Sequence, residues 1–350
     1  MATPVKRLEP GALEAARGRF FGLTSACLET TVATIGVIHR LYDCLAGESL
    51  TAQQLARRVG LDPSYTAMWC EAAYAVGHLD QLGEGYALTE EASTFLVRES
   101  PDYLGGLLQS AFFFTVTGYD FAEQMRNGSH PGFALLKRYP LLAEAFGEML
   151  ERSQKETFLN EILPRVPAYR EVGERGGLAV DLGCGNGWFL LTLLNRFPKL
   201  KGIGVDFVPA NLRACRERAG ALGLQDRASF EQADMTEYRF PEPVDLVTMN
   251  ACFHDIWHVH QPFLGRVFQA LKPGGYLVVW DANYPQDRRA LRNPATHLLV
   301  SLQMWEELCG TAILDGESLA GAIRSGGFET SVFFARGGAD AIIAGRRPRV

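Results

Sequence analysis

Apolar positions change their spacing near Gly173-Glu174-Arg175-Gly176-Gly177. Before that point they recur every three or four residues, interrupted only by short Gly/Pro breaks, as amphipathic helices require. After it, short β-branched runs alternate with amphipathic stretches of helical length, the signature of βαβ units around a mostly parallel sheet. The pattern predicts helical material over 1–170 and an α/β domain over 175–350.

The helical part divides again. Gly11 to Leu45 reads as long helix with an apolar face of Phe20, Leu23, Val32, Ile35, Ile38 and Leu41. Ser49 or Thr51 can cap a helix through Arg58, Gly60 ends it, and Asp62-Pro63 opens the next, through Trp69 and Ala73 to Val76. Leu79–Leu82, Gly83-Glu84-Gly85 and Tyr86–Leu88 form a hairpin pattern, and Thr89 caps a further helix. This is a winged-helix-like arrangement over 1–100. Such modules read DNA or pack on a partner chain. The segment Asp62–Val76 has two acids and no Lys or Arg, whereas a recognition helix presents basic or amide groups to the duplex. Residues 1–100 carry 8 basic and 12 acidic side chains, a net of −4, which argues against nucleic acid and for dimerisation or packing. Residues 101–170 are helical and aromatic (Phe112-Phe113-Phe114, Tyr119, Phe121, Phe133, Tyr139, Phe146, Phe158), and read as linker and substrate lid. Arg126 within them is either a solvated arginine or a clamp for a substrate carboxylate, to which its forked guanidinium is matched.

In the α/β part, the strand Leu178–Leu182 runs into Gly183-Cys184-Gly185-Asn186-Gly187 and then a helix from Trp188 to Arg196. Glycines there admit unusual backbone angles and let the main chain approach a ligand closely. On that loop alone a dinucleotide site stays open, although no third glycine falls in the dinucleotide register. A second strand, 200–206, ends at Asp206, placed to accept from both ribose hydroxyls. A third, 228–233, ends at Asp234-Met235, an acid for an adenine amino group and a thioether to lie against the ring. A fourth, 244–250, ends at Asn250, and a helix from Pro262 to Leu271 leads through Lys272-Pro273-Gly274-Gly275 to a fifth, 276–280. Ligands of open α/β sheets sit outside the carboxyl ends of the strands, where these polar tips fall in a row.

Composition narrows the class. With 47% apolar and 21% charged residues the chain can build a core without disulfides or metal, and its 350 residues suit more than one domain. A formal net charge of −6 weakens a nucleic-acid role. Seven cysteines without a CxxC pair fit a reducing compartment. The start lacks a secretory h-region, and no run approaches 18 uncharged apolar residues. The expectation is a soluble, cytoplasmic protein with no membrane partner.

From about 175 to 350 the chain resembles the class I S-adenosylmethionine-dependent methyltransferases. The cues are VDLGCGNG, Asp206, Asp234-Met235, LKPGG, and the closing segments GGFETSVFF (326–334) and ADAIIAGRR (339–347). The resemblance implies a Rossmann-like seven-stranded sheet whose final strand runs antiparallel to the rest. It implies Asp181, Gly183 and Gly185 around the methionine part of S-adenosyl-L-methionine, Asp206 on the ribose, and Asp234-Met235 on the adenine. Asn250 completes the expected cofactor set. The whole chain, with its winged-helix-like dimerisation domain, is similar to small-molecule methyltransferases of specialised metabolism and implies a homodimer.

His254-Asp255 follows the fourth strand at the position of the general base in related O-methyltransferases, and a near-neutral imidazole is suited to taking a hydroxyl proton. His258 and His260 lie just beyond. A metal-using subgroup that C-methylates beside the keto group of 2-oxo acids is similar in a histidine-acid pair, a later histidine and an arginine. His254-Asp255, His297 and Arg126 are the candidates, with iron or zinc held by His254 and His297. A small-molecule methyltransferase is therefore the leading expectation, divided evenly between metal-assisted C-methylation of a 2-oxo acid and ordinary O- or N-methylation, the alternative being an O-methyltransferase with His254 as general base. A SAM-binding winged-helix regulator, a silent dimeric scaffold and an NAD oxidoreductase are the remaining readings.

Overall fold

The computed structural model describes residues 8–241 and 243–349, and the side chains at 136, 137, 140–146, 148 and 149, Phe146 among them, lie outside the described residues. The chain divides into two compact units, one ending at Val116 and one beginning at Thr117.

The first unit is helical. Helix α1 (Pro10–Ile38) stops at Arg40, whose φ of 57° turns the chain into α2 (Leu41–Leu45). Thr51 and Gln54 form a reciprocal capping box on α3 (Ala52–Val59), and Gly60 closes that helix with a φ of 71°. Asp62 caps α4 (Pro63–Ala75) and Thr89 caps α5 (Glu90–Phe95), as the sequence indicates. Between them, β1 (Leu79–Leu82) and β2 (Gly85–Leu88) form an antiparallel hairpin. Tyr42, Trp69, Leu45, Leu55 and Leu79 fill the core of this unit. The apolar face expected on α1 is covered only in part. Val32 and Leu41 are buried, but Phe20 is 60% and Leu23 56% exposed.

Helix α6 (Gly105–Gln124) crosses into the second unit. There α7 (Pro140–Thr157) continues through a π-helical turn, Phe158–Ile162, into α8 (Leu163–Arg165) and α9 (Pro167–Arg175). The sheet strands are β3 (Gly177–Leu182), β4 (Leu200–Asp206), β5 (Ala228–Gln232), β6 (Val244–Asn250), β7 (Leu271–Ala282), β8 (Glu329–Ala335) and β9 (Asp340–Arg346). Their spatial order is β5-β4-β3-β6-β7-β9-β8. The first five pair in parallel, and β9 runs antiparallel to both β7 and β8. Helices α10 (Trp188–Arg196), α11 (Pro209–Ala221), α12 (His260–Ala270), α13 (His297–Cys309) and α14 (Gly316–Ser325) complete the unit. Apolar clusters form on both faces, one around Phe158, Trp188, Phe189 and Trp280, the other around Phe253, Phe263, Leu264 and Leu277. Strands buried on both sides read as nearly unbroken apolar runs, which is how β6 and β7 are written.

One boundary differs from the sequence reading. Leu271–Gly275 belongs to β7 rather than to a helix end and turn, and the register with β6 slips between Val244 and Leu246. Pro273 has no N–H to give and Gly274 takes a φ of 80°, so an irregular strand accommodates a sequence that looks like a turn.

Candidate active site

The glycine loop leaves β3 in left-handed backbone conformations, with φ of 71° at Gly183, 52° at Gly185 and 76° at Gly187. A Cβ on Gly183 would lie 2.9 Å from Cys252 Sγ, whereas one on Gly185 would meet nothing within 4 Å. The first glycine therefore serves close packing and the second opens a cradle. Asp206, buried at the tip of β4, ties the loop down: its Oδ2 accepts from Gly185 N–H at 2.9 Å, and Oδ1 from Val208 N–H at 2.8 Å and Asn211 Nδ2 at 3.3 Å. Burial raises the Asp206 carboxyl above its ordinary value and these donors temper the rise. Asp181, wholly enclosed, is pushed up to about 7, first by burial and then by the Asp206 charge, while the Thr248 hydroxyl donating at 2.7 Å opposes it.

Asp234 uses Oδ1 to hold the Thr236 N–H and hydroxyl at 2.8 and 2.7 Å, leaving Oδ2 without a partner among the described residues. Asp234, Met235, Phe207, Asp255 and His258 border a cleft of about 550 Å³. At the tip of β6, Asn250 donates to Gln154 Oε1 at 3.2 Å, and its own Oδ1 is buried with no hydrogen-bond partner. An orphaned buried acceptor costs about 1–3 kcal/mol, so this tip and the Gly185 cradle fit a bound ligand with donors of its own.

Immediately after β6 the backbone is strained. Ala251 sits at a φ of 54°, and this turn drives His254 into the interior at the start of a 3₁₀ helix, His254–Val259. Asp281, at the tip of β7, lies 2.7 and 2.8 Å from His254 Nδ1 through its two oxygens and accepts the His254 backbone N–H at 3.3 Å. Nε2 faces Asp255 Oδ1 at 3.4 Å and Glu306 Oε1 at 3.6 Å. Glu306, buried in α13, is fixed by the Thr311 hydroxyl donating to Oε2 at 2.6 Å. Burial works to lower the imidazole pKa, but Asp281, Asp255 and Glu306 outweigh it and hold the ring well above its ordinary value. Asp255 is pushed up to about 7 by burial, against the opposing pull of His254.

The structure thus gathers His254 and Asp255 with two acids the sequence reading did not single out, Asp281 and Glu306. Asp281 obeys the same strand-tip rule that picked out Asp206, and Glu306 is one of two adjacent acids in a helix with no other acid; both signals were present. His297 is exposed at the first position of α13 and is not among the groups clustered at His254. The expected His254–His297 pair is not among the groups whose ligand atoms meet; Glu306, eight intervening residues further along α13, is the side chain that faces the imidazole. Arg126 lies exposed beyond the end of α6, with no side-chain partner among the described residues. His260 stacks on Trp257 with ring centroids 4.2 Å apart.

Comparison with known proteins agrees with this geometry. A family profile described as a methyltransferase domain matches residues 179–275. The chain is 26% identical over 338 residues to 3-hydroxy-5-methyl-1-naphthoate 3-O-methyltransferase of Streptomyces sahachiroi, covering 92% of this chain and 93% of that one. It is 26% identical over 297 residues to the tetracenomycin polyketide synthesis 8-O-methyl transferase of Streptomyces glaucescens, covering 82% and 84%. In fold it is similar to human N-acetylserotonin methyltransferase solved with SAM (TM-score 0.70, 18% identity, 98% of this chain and 100% of that one). The chain is an S-adenosylmethionine-dependent methyltransferase, with the Rossmann-like fold and seven-stranded mixed sheet characteristic of class I methyltransferases.

Asp206→Ala removes the group that ties down Gly185 and that the resemblance implies on the ribose. Calorimetric titration with S-adenosylhomocysteine is expected to show affinity lower by at least about tenfold, the scale of one charge-assisted hydrogen bond. Unchanged affinity would remove Asp206 from the cofactor site.

Proposed function

We propose that the enzyme methylates a hydroxyl group on a small molecule of secondary metabolism, with His254 as general base. The observation carrying this reading is a buried imidazole held at Nδ1 by Asp281, at the carboxyl edge of the sheet that also bears the cofactor loop. Two relatives that align along most of the chain are named for O-methylation, one of a hydroxynaphthoate and one in polyketide synthesis, which supports a phenolic hydroxyl as acceptor.

Bound S-adenosylmethionine supplies an electrophilic methyl group on a positively charged sulfur. The chain supplies alignment and proton removal. Asp281 fixes the ring and its tautomer through Nδ1, so Nε2 is the nitrogen free to take the acceptor's hydroxyl proton. Asp255 and Glu306 border that nitrogen and stabilise the imidazolium that results. The same acids favour the charged ring before substrate arrives, and a charged ring accepts no proton. Turnover therefore depends on the neutral form. Because the folded-state value is raised, kcat/KM is expected to climb with pH through a midpoint above the ordinary histidine range. The ion cluster's contribution to stability, full below that range, is lost over the same climb. His254→Ala is expected to lower kcat by about a hundred- to ten-thousand-fold and to abolish this pH limb, while S-adenosylhomocysteine still binds. Unaltered turnover would remove His254 from the chemistry.

A second reading has its own observation. Ligand atoms of His254, Asp255 and Glu306 all lie within 4.8 Å of one another, and one imidazole with two carboxylates is a donor set suited to divalent iron or zinc. Such an ion would polarise a keto oxygen for C-methylation of a 2-oxo acid. On the O-methylation reading, exhaustive chelation leaves turnover unchanged. Activity lost to chelator and restored by one divalent metal would favour the second reading.

We also propose that α1 packs against a second copy of the chain. Phe20, Phe21, Leu23 and Leu28 stand 51–73% exposed on it. By length and composition α1 could cross a membrane, an 18-residue window of it reaching a mean hydropathy of 1.4, but Glu29 falls within its apolar second half, where Val32, Ala33 and Val37 are already buried in the core of this unit. The exposed residues Tyr65, Met68 and Tyr74 on α4, a helix without Lys or Arg, favour protein over DNA as this unit's partner. Sedimentation analysis is expected to show a dimer that the double variant Phe20→Glu, Phe21→Glu converts to monomer. A monomeric wild-type chain, or one that pellets with vesicles, would overturn the pairing.

A further inference from the structure

We infer that Phe133, contributed from outside the parallel sheet, forms the outer wall of the adenine end of the cofactor cleft. Phe207 directly follows the ribose acid Asp206, and its ring lies 6.2 Å from that of Phe133, centroid to centroid, at an interplanar angle of 58°. Both rings line the cleft bordered by Asp234 and Met235, and both are open to solvent, Phe133 at 37% and Phe207 at 52% exposure. Two aromatic rings at the mouth of a cleft leave apolar surface that a flat heterocycle between cleft and solvent would cover.

The ring is held in place by a strap. Phe133 belongs to a 3₁₀ segment, Gly132–Arg138, anchored on both sides. After it, Asp120, fully buried in α6, accepts from the Tyr139 hydroxyl at 2.9 Å and from the Arg138 guanidinium. Before it, His130 Nδ1 donates to the Glu307 carbonyl of α13 at 2.6 Å. A strap fixed at both ends presents its aromatic group already ordered, so little conformational freedom is lost when a ligand arrives.

The neighbours favour a purine over an acceptor substrate. Asp234 Oδ2 has no partner among the described residues and can accept from an exocyclic amine, and the Met235 thioether is suited to a flat ring. His254 itself does not line this cleft, and Asp255, its neighbour, marks the side of the cleft that faces the imidazole. The inference rests on the cofactor assignment and adds to it a residue outside the nucleotide-binding strands and their loops.

Calorimetric titration of the full chain with S-adenosylhomocysteine tests it. Phe133→Ala is expected to bind on the order of tenfold more weakly, the scale of one base–aromatic stack, and Phe133→Tyr about as tightly as the wild type. Tyr139→Phe, which loosens the anchor without touching the ring, is expected to fall between them. Affinity of Phe133→Ala within about twofold of wild type would overturn the inference, as would a raised acceptor KM with S-adenosylhomocysteine affinity intact. If the alanine variant fails to fold, Phe133→Leu is read in its place against the same outcomes. A wild-type chain with no affinity would overturn the cofactor assignment itself, and this inference with it.

Discussion

Parallel pairing of β3 with β4 and β6, and of β6 with β7, is the constraint from which the site follows. Parallel strands must each return by a crossover, so all their carboxyl ends open on one edge. Asp181, Asp206, Asn250 and Asp281 stand at or beside those ends. No single helix or loop could bring such distant positions together with this economy of chain. The sheet supplies the register, and the short loops after each strand supply the chemistry.

Buried charge is concentrated where those loops meet. Around His254 three carboxylates face one imidazole, an arrangement that low polarity would make costly were the partners not so close. The consequence is a ring biased toward its charged form and an Asp255 carboxyl near neutrality in its titration, two groups poised in opposite senses. Around the glycine loop the logic differs. Asp206 is satisfied by backbone donors, so its charge stabilises the loop's own shape before any ligand is considered. One acid cluster tunes proton affinity, and the other fixes geometry.

The first unit follows a separate physical rule. Its core around Tyr42 and Trp69 is complete, and Gly36 allows those rings to approach α1 so closely that a Cβ there would lie 2.3 Å from Tyr42. Yet the first half of α1 leaves large apolar side chains in water. A helix cannot bury every face against one small core, and what it leaves bare is surface available for association.

The sequence by itself determined most of the elements and the row of polar residues at the carboxyl edge of the sheet. Periodicity, the Thr51 and Asp62 caps, the glycine loop and the acids at strand ends are local signals, each written within a few residues. Local signals therefore also located His254-Asp255. Tertiary structure alone decided which distant side chains met them. Glu306 rather than His297 reaches the imidazole because helical rotation and the path of α13 select one position among many, and no spacing rule states where that helix lies. Arg126 stayed on the surface for the same reason. Phe133 came to the cleft because buried Asp120 anchors its strap, a contact invisible in a linear pattern. Proximity between residues far apart in sequence is a property of packing, and packing is what the order of residues encodes only collectively.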